Sequence, residues 1–246
     1  LDCSGEYKAT IEEIKDGYCP YCEDKKVLAG KNDLKTMYPE LAKQYSDNNL
    51  KPVNQVLYLS KGIFNWKCPT CGGQYNATIK YLHERGCPYC NDEKLLAGKN
   101  DLATIYPELI NKYSDNNYKP IDEIIHNSKS MFKWVCSDCG GEYTATIEDV
   151  INEGCPYCEN KKVLKGFNDL ATTHPHISKE WGLENYLIDV GGPENYKLDS
   201  TKNVYWLCPK CGTHYRMKID DRVINDKRHH ESCWKCAGRM KNILKL

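Results

Sequence analysis

The chain has 246 residues, with 34 Lys/Arg against 34 Asp/Glu, so its formal charge is zero before any metal is counted. Three Phe set beside eighteen Tyr and fifteen Cys exclude one large aliphatic core and point to small cores reinforced by something else. No run approaches the roughly 20 apolar residues of a membrane helix, and Leu1-Asp2-Cys3-Ser4-Gly5 carries neither the basic nor the apolar part of a signal peptide. The expectation is therefore a cytoplasmic (intracellular) chain with no membrane contact, whose thiols stay reduced and hold metal rather than forming disulfides.

In chain order, Cys3-Ser-Gly-Glu-Tyr7-Lys-Ala-Thr-Ile11 comes first, then Cys19-Pro-Tyr-Cys22. A spacer follows from Gly30 to Tyr45. In it Asp33 is placed to cap a short helix and Pro39 to open a second, with Leu34, Met37, Leu41 and Tyr45 facing inward. Ser46-Asp-Asn-Asn49 breaks that pattern. Ile63–Lys67 reads as a strand leading into Cys68-Pro-Thr-Cys71, and Tyr75–Ile79 as its partner strand before Cys87-Pro-Tyr-Cys90. The same order returns 68 residues later, with a spacer from Asn100 to Tyr113, then Cys136 and Cys139, Tyr143–Ile147, and Cys155 and Cys158. A degraded spacer, Asn168 to Trp181, precedes a looser last copy with Cys208, Cys211, Cys233 and Cys236. Trp66, Trp134 and Trp206 each stand two residues before a first cysteine, where a large ring can fill a tiny core.

Two C-x2-C turns separated by fifteen residues, or by twenty-one in the last copy, supply the four thiolates that Zn2+ takes at a closed tetrahedral site. Three complete sites are expected: Cys68/Cys71/Cys87/Cys90, Cys136/Cys139/Cys155/Cys158 and Cys208/Cys211/Cys233/Cys236. Cys3, Cys19 and Cys22 would be three ligands of a fourth, whose remaining cysteine would fall before Leu1. The metal is expected to hold the fold rather than to react. The predicted architecture is a series of small α+β zinc-stabilised modules: residues 1–65 (cut at its N-terminus, with a helical spacer), 66–133, 134–205 and a basic module at 206–246.

The run W-x-C-P-x-C-G-x-x-Y-x-A-T-I, then G-C-P-Y-C, then G-x-N-D-L-x-T resembles the tandem zinc-ribbon (treble-clef-like) repeats of bacteria, phages and large DNA viruses, over essentially the whole chain. The resemblance implies an elongated array of repeats that binds DNA, joined in relatives to restriction- or repair-type endonuclease domains. Repeats of that family carry an Arg three residues after the isoleucine of A-T-I. Here Ile14, Leu82 and Val150 stand at that position and only Arg222 keeps it, so a phosphate contact made by this Arg would survive in the last module alone.

Fifteen thiolates carry more negative charge than four Zn2+ offset, so the metallated chain is acidic overall. Its cations gather at the end, with twelve Lys/Arg against five Asp/Glu from Lys197 onward. The expected nucleic-acid contacts are Arg216, Lys218, Arg222, Lys227, Arg228, Arg239 and Lys241. Cys-Pro-Tyr-Cys is also the active-site sequence of glutaredoxin-like oxidoreductases, but here it occurs three times, each with a partner pair fifteen residues upstream. His83, His126, His174 and His176 are isolated in sequence, and His214 adjoins a complete cysteine pair. No enzyme is expected. The two functions weighed are a zinc protein that binds nucleic acid, DNA above all, as the targeting part of a nuclease, and a spacer or protein-interaction scaffold.

Overall fold

A computed structural model describes residues 3–238. The chain divides into two compact units, Leu1–Ile110 with Tyr118–Ser128, and Asn111–Asn117 with Lys129–Leu246.

The first unit begins with Cys3 and a single helical turn, α1 (Ile11–Lys15), closed by a capping box between Thr10 and Glu13. Tyr7–Thr10 pairs with no strand among the described residues. In the first spacer, Asp33 accepts from the Thr36 N–H and caps α2 (Leu34–Met37), and Pro39 opens α3 (Pro39–Ala42) as expected. Met37 does not face inward: it is 42% exposed, because a four-residue helix buries only Leu34.

The unit's core lies under a two-stranded antiparallel ribbon, β1 (Ile63–Lys67) and β2 (Gln74–Thr78), in which Trp66 faces Tyr75 and Phe64 faces Ala77. Trp66 is fully buried, and its indole N–H donates to the Ala77 carbonyl at 2.9 Å, satisfying the one polar atom the ring brings in. β2 ends one residue earlier than the pattern suggests. Thr78 caps a helix, α4 (Ile79–Arg85), whose first residue is Ile79 and which buries Ile79 and Leu82. The unit continues through α5 (Leu102–Ile105), capped by Asp101.

In the second unit the ribbon β3 (Met131–Val135) and β4 (Glu142–Thr146) runs into α6 (Ile147–Glu153), again through a threonine cap, Thr146. The third spacer forms α7 (Leu170–Thr173), α8 (Pro175–Ser178) and an added turn, α9 (Glu184–Leu187). The last ribbon, β5 (Asn203–Leu207) and β6 (His214–Lys218), leads into α10 (Ile219–Lys227).

Each spacer is fastened at both ends by an asparagine. Behind, buried Asn32 donates to the carbonyls of Tyr21 and Lys26 (2.9 and 3.0 Å) and accepts from the Leu28 N–H (2.7 Å), locking the loop that follows a Cys-Pro-Tyr-Cys turn. Asn100 and Asn168 make the same bonds. Ahead, Asn49 donates to the Asn65 carbonyl and accepts from the Asn65 N–H, both at 2.8 Å, so one side-chain amide behaves like a residue of a third strand. Asn117 does this to Lys133, and Asn185 to Tyr205. Tyr45, Tyr113 and Trp181 add an isolated bridge to Trp66, Trp134 and Trp206 respectively, and Trp181 meets Trp206 edge to face with centroids 5.4 Å apart.

Candidate metal centre

Each complete cysteine set straddles a ribbon and the turn after its helix. The first pair sits on the tight turn between strands: the Gly72 N–H donates to the Cys68 carbonyl and the Cys68 N–H to the Gly73 carbonyl, both at 2.9 Å. Gly72 adopts φ +73°, a conformation only glycine takes without strain, and a side chain on Gly73 would strike the ring of Tyr89. Helix α4 ends at Gly86 and delivers Cys87 and Cys90 to the same point.

The sulfurs then meet with tetrahedral spacing. Cys68 and Cys90, Cys71 and Cys87, Cys136 and Cys158, Cys208 and Cys236, and Cys211 and Cys233 stand 3.7 Å apart, and Cys139 and Cys155 stand 3.6 Å apart. A zinc tetrahedron with Zn–S of about 2.3 Å has edges of roughly 3.8 Å, and every sulfur of a set lies within 4.8 Å of the others. All fifteen cysteines are free of disulfides. Cys3, Cys19 and Cys22 converge in the same way as a three-sulfur group.

Electrostatics supports the same occupant. Burial raises the Cys68 and Cys136 thiols, but the backbone N–H groups of Cys71 and Thr70, and of Cys139 and Asp138, outweigh it and bring each to about 7. The Thr213 hydroxyl, 3.3 Å from the Cys211 sulfur, leads the groups that bring that thiol to about 6. In each set another thiol moves the other way. Burial and then the neighbouring sulfurs push Cys90 and Cys158 up, and the sulfur of Cys211 leads the groups that push Cys236 up to about 12. Four thiolates in contact require a cation to share their charge, and Zn2+ fits the all-sulfur donor set and the spacing.

Among the expected nucleic-acid contacts, Arg216 and Lys218 are exposed on the outer face of β6, and Lys227 and Arg228 are exposed at the end of α10. Arg239 and Lys241 lie outside the described residues. Arg222 corrects the expectation. It is only 7% exposed, and its guanidinium grips the Glu180 carboxylate through Nε at 2.9 Å and Nη2 at 2.7 Å, turned into the protein rather than toward a phosphate. The position that Leu82 and Val150 fill with core side chains is thus a core position in the last module too. Three of the histidines pair with carboxylates: His126 with Asp92 at 3.1 Å, His176 with Asp226 at 2.9 Å, and His214 with Glu184. Among the described residues no helix is long and apolar enough to cross a membrane.

Repeated ribbon–helix modules closed by cysteine tetrahedra define a zinc-binding tandem-repeat protein. The chain belongs to the family described as "Probable Treble clef zinc finger domain", which it matches over residues 41–93, 109–161 and 178–239. Each match opens inside a spacer, before the tyrosine or tryptophan that bridges to the next ribbon, and closes after a second cysteine pair. The chain is also similar to an uncharacterized protein of Acanthamoeba polyphaga mimivirus, at 28% identity over 188 residues, covering 70% of this chain and 45% of that protein. It therefore spans less than half the length of this relative.

Proposed function

We propose that the last module binds nucleic acid, DNA in particular, and that the zinc repeats serve inside the cell as the non-enzymatic targeting part of a nuclease or a mobile-element or defence system. One observation carries this reading. Thr78 and Thr146 cap the helices that follow their strands, and Thr10 caps α1, whereas Lys218 occupies that cap position and makes no side-chain cap bond. The N–H a threonine would take, that of Asp221, goes instead to the Asp220 carboxylate at 2.8 Å, which leaves the cap position free to carry a cation. Across the ribbon from Lys218 stands Asn203, and beside it Arg216 rests on the ring of Tyr205, its guanidinium carbon 5.1 Å from the centroid. Asn76 and Thr144 occupy the Arg216 position in the other ribbons. A basic, aromatic face of this kind suits a phosphate backbone.

Duplex DNA binding followed against salt tests the reading. If Arg216, Lys218, Lys227 and Arg228 each neutralise one phosphate, log K falls against log[salt] with a slope of roughly −3 to −4. Lys218→Thr separates function from fold: it offers the Asp221 N–H a second acceptor and should leave the unfolding free energy of the module within about 1 kcal/mol of the parent while weakening DNA and flattening the slope. Binding indifferent to salt would overturn the reading.

A protein-interaction platform is the second reading, favoured by Leu50, Tyr118 and Tyr186. These are exposed apolar residues at the same place in three successive spacers, 68 residues apart.

A further inference from the structure

A cavity of about 630 Å3 opens in the first unit between the end of α2, residues 58–61 and the start of α4. The rings of Tyr38, Tyr58 and His83 wall it, together with Leu59 and Ile79. The Tyr38 ring stands 4.6 Å from His83 and 5.9 Å from Tyr58, centroid to centroid. Tyr58 is held in place from behind: its hydroxyl donates to the Asp24 carboxylate at 3.0 Å, and that carboxylate also accepts from Asn32 at 3.1 Å, the asparagine that locks the knuckle loop. The aromatic wall is therefore set before a ligand arrives, which removes the ordering cost that a mobile tyrosine would add to binding.

The mouth carries exposed Lys61 and Lys80, and the one acid in the lining, Glu84, lies 3.8 Å from Lys80. The fold does not require this arrangement. In the next repeat His126 stands where Tyr58 does, Asn127 where Leu59 does and Ile151 where His83 does. Aromatic walls with cations at the rim match a planar base joined to phosphate: every base offers a π-face for stacking, and lysines at the rim meet the flanking charges.

The geometry points to this cavity as the binding site for one unpaired base of a nucleic-acid strand, stacked against the His83 and Tyr38 rings with its neighbouring phosphates at Lys61 and Lys80. It extends the nucleic-acid reading above and uses none of the residues on which that reading rests.

Titrating the intact zinc-loaded chain with AMP, with backbone amide shifts followed by NMR, tests the cavity without reference to the last module. Shifts are expected to concentrate at residues 58–61 and 78–84. His83→Ala removes an exposed ring, leaves the core untouched, and should weaken AMP and a ten-nucleotide oligothymidylate roughly fivefold or more. Tyr58→Phe keeps the ring but frees it from Asp24, and should weaken both ligands by less. Arg216→Ala and Lys218→Thr should weaken duplex DNA and leave AMP binding as it was. If those amides stay still up to about 10 mM AMP, where even a Kd in the millimolar range would register, or if His83→Ala binds both ligands as the parent does, the proposal is overturned. AMP binding at the cavity in a chain that ignores duplex DNA would sink the reading of the last module and leave this one standing.

Discussion

The ribbon β1–β2 with α4 and the ribbon β5–β6 with α10 are built on the same cysteine tetrahedron and the same buried tryptophan, yet they differ at three coupled places. In the first, Gly73 lies under Tyr89. In the last, Thr213 replaces the glycine and Lys235 the tyrosine, so the close approach is gone and the threonine hydroxyl turns to Cys211 instead. In the first, Leu82 fills the helix's inner face, and Gln44, in the spacer, receives the Tyr75 hydroxyl at 3.3 Å. In the last, the corresponding residues are Arg222 and Glu180. Finally, a threonine cap has become Lys218. The first two changes keep each partner matched and so preserve the module. In the third, the Asp220 carboxylate takes the Asp221 N–H at 2.8 Å in place of the threonine, and this is the change that alters the surface. An arginine at the Arg222 position therefore does not by itself indicate a ligand.

The comparison breaks most visibly if the two modules do not depend equally on metal. Structural zinc at four thiolates contributes roughly 10 kcal/mol or more, so Cys87→Ser and Cys233→Ser should each lower the zinc content by one ion per chain and unfold the module concerned. Metal analysis with tryptophan fluorescence reads both effects, and a variant that keeps its full zinc complement would remove the assigned ligand.

The Arg222–Glu180 pair comes next in size. Glu180→Ala leaves a buried guanidinium without its carboxylate and should cost about 3–5 kcal/mol by denaturant unfolding. The double change Arg222→Leu with Glu180→Gln installs the Leu82–Gln44 arrangement of the earlier module and should recover most of that loss without changing DNA affinity. Lower DNA affinity in a stable double variant would return Arg222 to the phosphate side.

The strand clamps differ in burial. Asn185 is fully buried while Asn49 is half-buried, so Asn185→Ala, which leaves backbone groups of Tyr205 unsatisfied, should cost about 1–3 kcal/mol, and Asn49→Ala less because water can replace the amide.

The smallest effect concerns the spacer caps. Burial tends to raise the Asp101 carboxyl, but the Thr104 hydroxyl and the Thr104 and Gly98 N–H groups outweigh it and hold the group below its ordinary value. A carboxyl lowered in the folded state stabilises the fold above its unfolded value of about 3.9 and loses that contribution only as pH falls below it. Between pH 8 and pH 5 the parent and Asp101→Asn should therefore lose stability in parallel, with the variant lower by about 1 kcal/mol throughout, the difference between a charged and a neutral acceptor. Loss in that window then does not arise at this cap.

The cysteine sets, the spacer caps Asp33, Asp101 and Asp169 and the ribbons were legible because each is local: a turn, a cap or an alternation within a few residues. The helix at Ile79 was not, since Thr-Ile closing an alternating run reads as strand. Its signal was the cap, clearest where Thr10 and Thr146 stand three residues before Glu13 and Asp149. Met37 misled because helical spacing implies a buried stripe only when the helix is long enough to have one. Arg222 and Asn49 were missed because their partners lie 42 and 16 residues away, joined by the fold alone.

The asparagines at the two ends of every spacer have a consequence for how such a gene can change length. Any segment of one period, wherever it is cut, carries one fastening for the module behind it and one for the module ahead. Unequal crossover between copies can thus add or delete a whole zinc module with both junctions already made, and a newly lengthened chain needs no second mutation before it folds.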